Sequence, residues 1–180
     1  MNKIFLLLLF VPALSSCTQQ TQVSPTAAAD SSFKTFLSQF EAAQSRFING
    51  DPSLWKQNAS HRDDGTMLGA FGGHETGWDE VGARLDWASS HFKDSGAKEK
   101  FEYLNTGASA DLAFTVAIEH QDDVQMIDQD KPAPRALRVT QIFRREDGVW
   151  KIVHRHADPL IEKKGGREAE LQRTGKAPQQ

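Results

Sequence analysis

A single cysteine, Cys17, occurs in the 180 residues, so no disulfide can form within the chain. The net charge is only −3, with both signs scattered. That removes the case for nucleic-acid binding driven by phosphate neutralisation, and no nucleic-acid partner is expected. Long apolar runs are missing too: Ile4–Leu14 falls well short of the roughly 20 residues a spanning helix needs. The glycine-rich stretch at 69–73 is not followed by Gly-Lys-Ser/Thr, which excludes a phosphate cradle. Asp122, Asp123, Asp128 and Asp130 lack the ordered Asp-x-Asp-x-Asp-Gly of a calcium loop and read as solvated surface. His154-x-His156 offers two nitrogens to a metal, but only Glu119 or Asp158 is available as a guessed third ligand; neither metal nor cofactor is expected.

What is present begins with a leader. Met1-Asn2-Lys3 followed by Ile4–Leu14 has signal-peptide proportions, and Leu14-Ser15-Ser16-Cys17 resembles the lipobox of bacterial lipoproteins. The resemblance makes 1–17 a lipoprotein-type signal peptide with its lipobox and implies that Cys17 is acylated and becomes the first mature residue, with several acyl chains, which anchor firmly where one anchors weakly. The expected location is the cell envelope, lipid-anchored and facing the periplasm or exterior. Thr18, where a retention signal carries Asp, points to the outer membrane in a Gram-negative cell. Contact with the membrane is expected through the anchor alone.

Residues 18–31 have little to bury and read as a flexible tether. From Ser32 the length suits one domain, which at this size hides roughly 70% of its unfolded surface. Phe33, Phe36, Leu37, Phe40, Ala43 and Phe47 form one helical stripe, with Asp30 or Ser31 as cap and Gly50 as stop. Asp51-Pro52 starts a second helix, and Thr76 with Asp79 is spaced as a capping box for a third carrying Trp78, Val81, Leu85, Ala88 and Phe92. A short apolar strand around Met67 separates them. Residues 101–106 and 111–120 read as strands; in the second, Ala113, Thr115, Ala117 and Glu119 share a side whose small residues leave space. Residues 121–134 read as an exposed excursion and 161–180 as a disordered tail. Helices first and antiparallel strands afterwards make an α+β domain.

The closing stretch 136–158 reads as a β-hairpin turning at Asp147-Gly148. A two-residue turn sets Phe143 opposite Ile152, Gln141 opposite His154 and Val139 opposite His156, with Arg138, Arg144, Lys151 and Arg155 outward. A three-residue loop slips the pairing by one and brings Arg138 opposite His156. Strict alternation places Trp150, Ile152, His154 and His156 on one face either way.

These residues carry a family resemblance. The runs 111–116 and 137–156, with their Arg-Val-Thr and Asp-Gly-x-Trp-x-Ile-Val-His-x-His segments, resemble the SnoaL-like branch of the nuclear transport factor 2-like superfamily. The hairpin is also similar to the association domain of calcium/calmodulin-dependent kinase. Covering 32–160, the resemblance implies a cone-shaped fold with three N-terminal helices on a strongly curved antiparallel sheet, a pocket, and a homodimer. The superfamily's members include isomerases, cyclases, dehydratases and pure binding modules, so the fold alone does not settle function. It also makes Arg138 a pocket residue, which a bulge between Arg138 and Phe143 would reconcile with the two-residue turn. The roles known in ketosteroid isomerases do not transfer, since Tyr103 is the only tyrosine and no motif accompanies it.

Two functions follow. In one, the pocket binds a small molecule through Arg138, His154, Gln141 and Trp78, without catalysis. In the other, His156 transfers protons as acid or base, oriented by Asp158 or Glu119, in an isomerase, dehydratase or hydrolase. Membrane tethering with a generic pocket does not demand turnover, which favours the first.

Overall fold

The computed structural model describes residues 25–161, with side chains from Ser31 onward. The expected leader, Cys17, the first part of the tether and the tail from Glu162 lie outside the described residues. Three helices, α1 (Pro25–Phe47), α2 (Ser53–Asn58) and α3 (Trp78–Ser89), pack on a curved six-stranded sheet. Its strands are β1 (Thr66–Leu68), β2 (Glu75–Thr76), β3 (Lys98–Ala108), β4 (Leu112–Val124), β5 (Ala133–Glu146) and β6 (Val149–Pro159), in the spatial order β2-β1-β6-β5-β4-β3. The α+β class agrees with the sequence.

The sheet is mixed rather than wholly antiparallel, because β1 runs parallel to β6 with Thr66 opposite His154 and Leu68 opposite His156. The chain leaving α2 already runs alongside β6 at the parallel Ala59–Ile152 bridge, where the Ser60 amide donates to the Ile152 carbonyl at 2.8 Å. That approach fixes the direction of β1.

The stripe of α1 is buried as its spacing requires. Phe33, Phe36 and Phe40 set their rings 5.2, 5.7 and 5.6 Å from Phe143 at the centre of the sheet. The helix begins at Pro25, ahead of the expected cap, so the latter part of the expected tether is helical. It ends before Gly50, whose φ of +91° and tight approach to the Phe92 carbonyl, 3.1 Å from a built Cβ, admit no side chain. Asp51 caps α2 by accepting the Ser53 amide at 2.9 Å. At α3 the reciprocal acid is Glu80, not Asp79: its Oε2 accepts the Thr76 amide at 2.8 Å. The expected excursion is shorter than read, since β4 runs on to Val124 and buries Gln121 and Val124.

Candidate functional site

The hairpin turns at Asp147 and Gly148 with φ values of +50° and +83°, the mirror-image geometry suited to a two-residue connection. Phe143 lies opposite Ile152, as the two-residue register requires. The next pair is Ile142 with His154, so Val153 is an extra residue on β6, and the alternation reverses beyond it. Arg155 and Ala157 therefore turn inward opposite Gln141 and Val139. His156 and Asp158 turn outward opposite Thr140 and Arg138. Neither register read from the sequence holds past this point, and the bulge sits on the strand opposite the expected one.

Turning Arg155 inward delivers a charge to the sheet's inner face, where β4 supplies its partner. Arg155 donates from Nη1 and Nη2 to the two oxygens of Glu119 at 2.7 and 2.6 Å, in the two-pronged geometry a guanidinium and carboxylate favour. Arg155 is 7% exposed and Glu119 0%. Burial works to lower the Arg155 pKa, and the Glu119 charge overrides it and holds it above the usual range. Gln44 of α1 completes the cluster, donating from Nε2 to Glu119 at 3.2 Å while its Oε1 accepts the Trp55 indole N–H at 2.5 Å.

Beside this pair stands Glu99 on β3. Its Oε1 accepts from Gln121 Nε2 at 2.7 Å, while Oε2 is sealed from solvent without a partner. Burial, reinforced by the negative charge of Glu119, pushes its pKa up to about 8. At neutral pH Glu99 is therefore largely a neutral acid. A proton on the carboxyl also gives it a donor to share with its neighbours.

Between this polar cluster and the helices lies a cavity of about 50 Å³, enough for several water molecules or part of a small ligand. Phe47, Trp55, Met67, Leu85 and Phe92 supply its apolar walls, and Gln44, Gln121 and Arg155 its polar side. Ala70, Phe71, Arg84 and Arg135 are also part of the lining. The glycine-rich loop closes around an arginine rather than a phosphate: the Gly72 carbonyl accepts from Arg84 Nη2, and a built Cβ on Gly69 or Gly73 lies 3.7 or 3.6 Å from the same nitrogen.

Of the residues singled out in the sequence, Glu119 and Gln141 face inward. Gln141 sits opposite Arg155 and accepts the Thr115 hydroxyl at 3.1 Å. Glu119 is engaged by Arg155 and separated from His156, which lies on the other face. His156, Asp158 and Arg138 do come together, but in a shallow groove on the outer face: His156 Nε2 is 3.3 Å and Arg138 Nη2 3.6 Å from Asp158 Oδ2. The expectation that Arg138 and His156 line the interior hollow is thus corrected: the Val153 bulge turns His156 outward, and the unbroken alternation of β5, with Leu137 and Val139 buried, turns Arg138 outward as in the two-residue register. Arg155, expected outward, is the residue that goes in. His154 Nδ1 is hydrogen-bonded to Thr66 Oγ1 at 2.7 Å, and burial together with the His156 charge lowers its pKa. Trp78 stacks on His61 with ring centres 3.7 Å apart and does not line the cavity. The Tyr103 hydroxyl donates to Glu41 at 2.6 Å.

The sequence reading passed over Gln44, Glu99, Gln121, Arg135 and Arg155. Gln44 had a signal, since it interrupts the aromatic stripe at helical spacing between Phe40 and Phe47. Glu99 and Gln121 likewise extend the inward alternation of Phe101 and Tyr103 and of Ala117 and Glu119. Arg155 had none, because its orientation depends on the bulge.

The SnoaL-like domain model matches residues 41–162. The chain belongs to the SnoaL-like domain family. Among solved structures, a nuclear transport factor 2-like superfamily protein from Salmonella enterica superposes with a TM-score of 0.65 at 16% identity, covering 78% of this chain and 97% of its own. A ketosteroid isomerase-like protein from Erwinia carotovora atroseptica gives 0.60 at 16%, covering 73% and 95%. An uncharacterized protein with a cystatin-like fold from Caulobacter vibrioides gives 0.58 at 15%, covering 81% and 99%. At these identities the likeness shows a shared fold alone. No curated protein matches the chain.

Proposed function

We propose that this chain is a lipid-tethered SnoaL-like domain of the cell envelope that holds a small molecule in the cavity between its helices and its sheet. The observation that carries the reading is the composition of that cavity. Its walls are mainly aromatic and aliphatic, with a small number of polar side chains set among them: Gln44, Gln121, Arg84, Arg135 and Arg155. Ligand sites combine apolar contact with a small number of placed polar groups in this way. Tethering rests on the lipobox-like run ending at Cys17.

A molecule that fills the cavity binds only the folded state and raises its melting temperature by mass action. A small-molecule extract of the host envelope is expected to raise the melting temperature of the purified protein. It leaves the Ala70→Trp variant unmoved, because the indole occupies the cavity. An extract that moves both proteins equally, or neither, contradicts the reading. For the anchor, Cys17→Ser is expected to shift the protein from the membrane fraction to the soluble one; retention in the membrane contradicts it.

A second reading keeps proton transfer, on the strength of the His156–Asp158 contact beside Arg138 in the outer groove. An imidazole next to a carboxylate is suited to accept and return a proton near neutral pH. Its substrate would bind on the open surface, with only partial exclusion of water. The interior cavity is the more enclosed and the more apolar of the two, and binding without turnover stands first.

A further inference from the structure

Three arginines line the interior cavity, and two of them are already answered. Arg155 is held by Glu119 at 2.7 and 2.6 Å. Arg84 lies 3.5 Å from the Glu75 carboxylate and donates to the Gly72 carbonyl. The Arg135 side chain, among the described residues, has neither a carboxylate partner nor a hydrogen bond. Its guanidinium rests against aromatic faces instead, 5.5 Å from the centre of the Phe71 ring and 5.6 Å from Phe92. Ring faces attract a cation without cancelling its charge. Burial, with Arg155 near by, lowers the Arg135 pKa, the mark of a charge short of both water and counter-charge. Glu99 and Glu119 lie near enough to offset part of that effect, but neither carboxylate reaches Arg135 as an ion pair or hydrogen-bond partner. The lining therefore carries one guanidinium with no direct partner among the described residues, set against an apolar wall.

A second vacancy adjoins it. Gln121 is directly across the β4–β5 ladder from Arg135, is 2% exposed, and lines the same cavity. Its Oε1 is buried with no donor. Buried acceptors are rarely left so, because the lost hydration is not recovered.

We propose that the cavity is selective for small monocarboxylates with an apolar body, the carboxylate seated on the Arg135 guanidinium and the body against Phe47, Met67 and Phe92. A single guanidinium without a direct partner asks for a single negative charge, and its planar fork fits a carboxylate with two parallel hydrogen bonds. A hydroxyl or amino hydrogen beside the carboxylate, or a water, supplies the donor that Gln121 Oε1 lacks. The inference rests on the reading that the cavity holds a small molecule, and it adds the charge of that molecule.

The test uses hexanoate and hexanamide, which share one chain and differ in charge, with binding to the full-length protein followed by ligand-observed NMR. Hexanoate is expected to bind at least about tenfold more tightly, the order of one charge-assisted contact. Arg135→Met removes that preference, whereas Arg135→Lys keeps part of it. Among the described residues Arg135 has no hydrogen-bond or ion-pair partner to strand, and circular dichroism checks that both variants fold. Equal binding of the two probes, or a preference that survives Arg135→Met, overturns the carboxylate assignment and leaves the cavity reading standing. Hexanoate binding that Ala70→Trp does not block overturns both, since the probe then sits elsewhere.

Discussion

At the scale of single residues, the interior is governed by how charges removed from water are answered. Glu119 and Arg155 answer each other, so the pair matters most when broken. Glu119→Leu leaves a buried guanidinium alone and is expected to cost about 3–5 kcal/mol in urea unfolding. The double change Glu119→Leu with Arg155→Leu is expected to cost clearly less than that single change, because no charge is stranded. Glu99 predicts a pH effect. Its folded pKa of about 8 lies above its ordinary value near 4.5, so the folded state binds the proton more tightly than the unfolded one. Stability from this group is full below pH 4.5 and is lost as pH rises through 8. Glu99→Gln is expected to flatten that part of the stability–pH curve, measured by chemical denaturation at a series of pH values. An unchanged slope would show that Glu99 is not the titrating group.

At the scale of elements, the extra residue in β6 decides which side chains reach the interior. Deleting Val153 leaves Ile152, His154 and Arg155 in plain alternation opposite Phe143, Ile142 and Gln141, so Arg155 stays inward on Glu119. The deletion variant is expected to keep cooperative unfolding and the near-ultraviolet circular dichroism of its buried tryptophans; loss of both would contradict this register. Phe143 tests the packing of helix on sheet: it is wholly buried under three phenylalanines of α1, and Phe143→Ala is expected to cost about 3–5 kcal/mol. The helices and strands were legible because their period is written in residue type: Phe33, Phe36 and Phe40 at helical spacing, and the small residues Ala113, Thr115 and Ala117 on alternate positions of β4. The turn was legible in Asp147-Gly148. The bulge was not, since Val153 suits a regular strand as well as an irregular one. Every orientation past it was misread as a result, including those of His154, Arg155 and His156.

At the scale of the whole molecule, two surfaces remain to be accounted for. The outer face of the sheet exposes Leu104, Leu112 and Phe114, large apolar side chains on adjacent strands β3 and β4. We propose that a second copy of the chain covers them. Wild-type protein is expected to elute as a dimer in light scattering, and Leu104→Glu with Phe114→Glu as a monomer that keeps its circular dichroism; a monomeric wild type contradicts this. The inner surface is the cavity, and on it the functional account depends. Native mass spectrometry of the intact protein purified from its own host tests it most directly. The expected spectrum shows a discrete mass above that of the denatured polypeptide, one copy per chain, absent from the Ala70→Trp variant. A wild-type native mass equal to its denatured mass, unchanged by Ala70→Trp beyond the substitution itself, would contradict the claim that this domain exists to hold a small molecule.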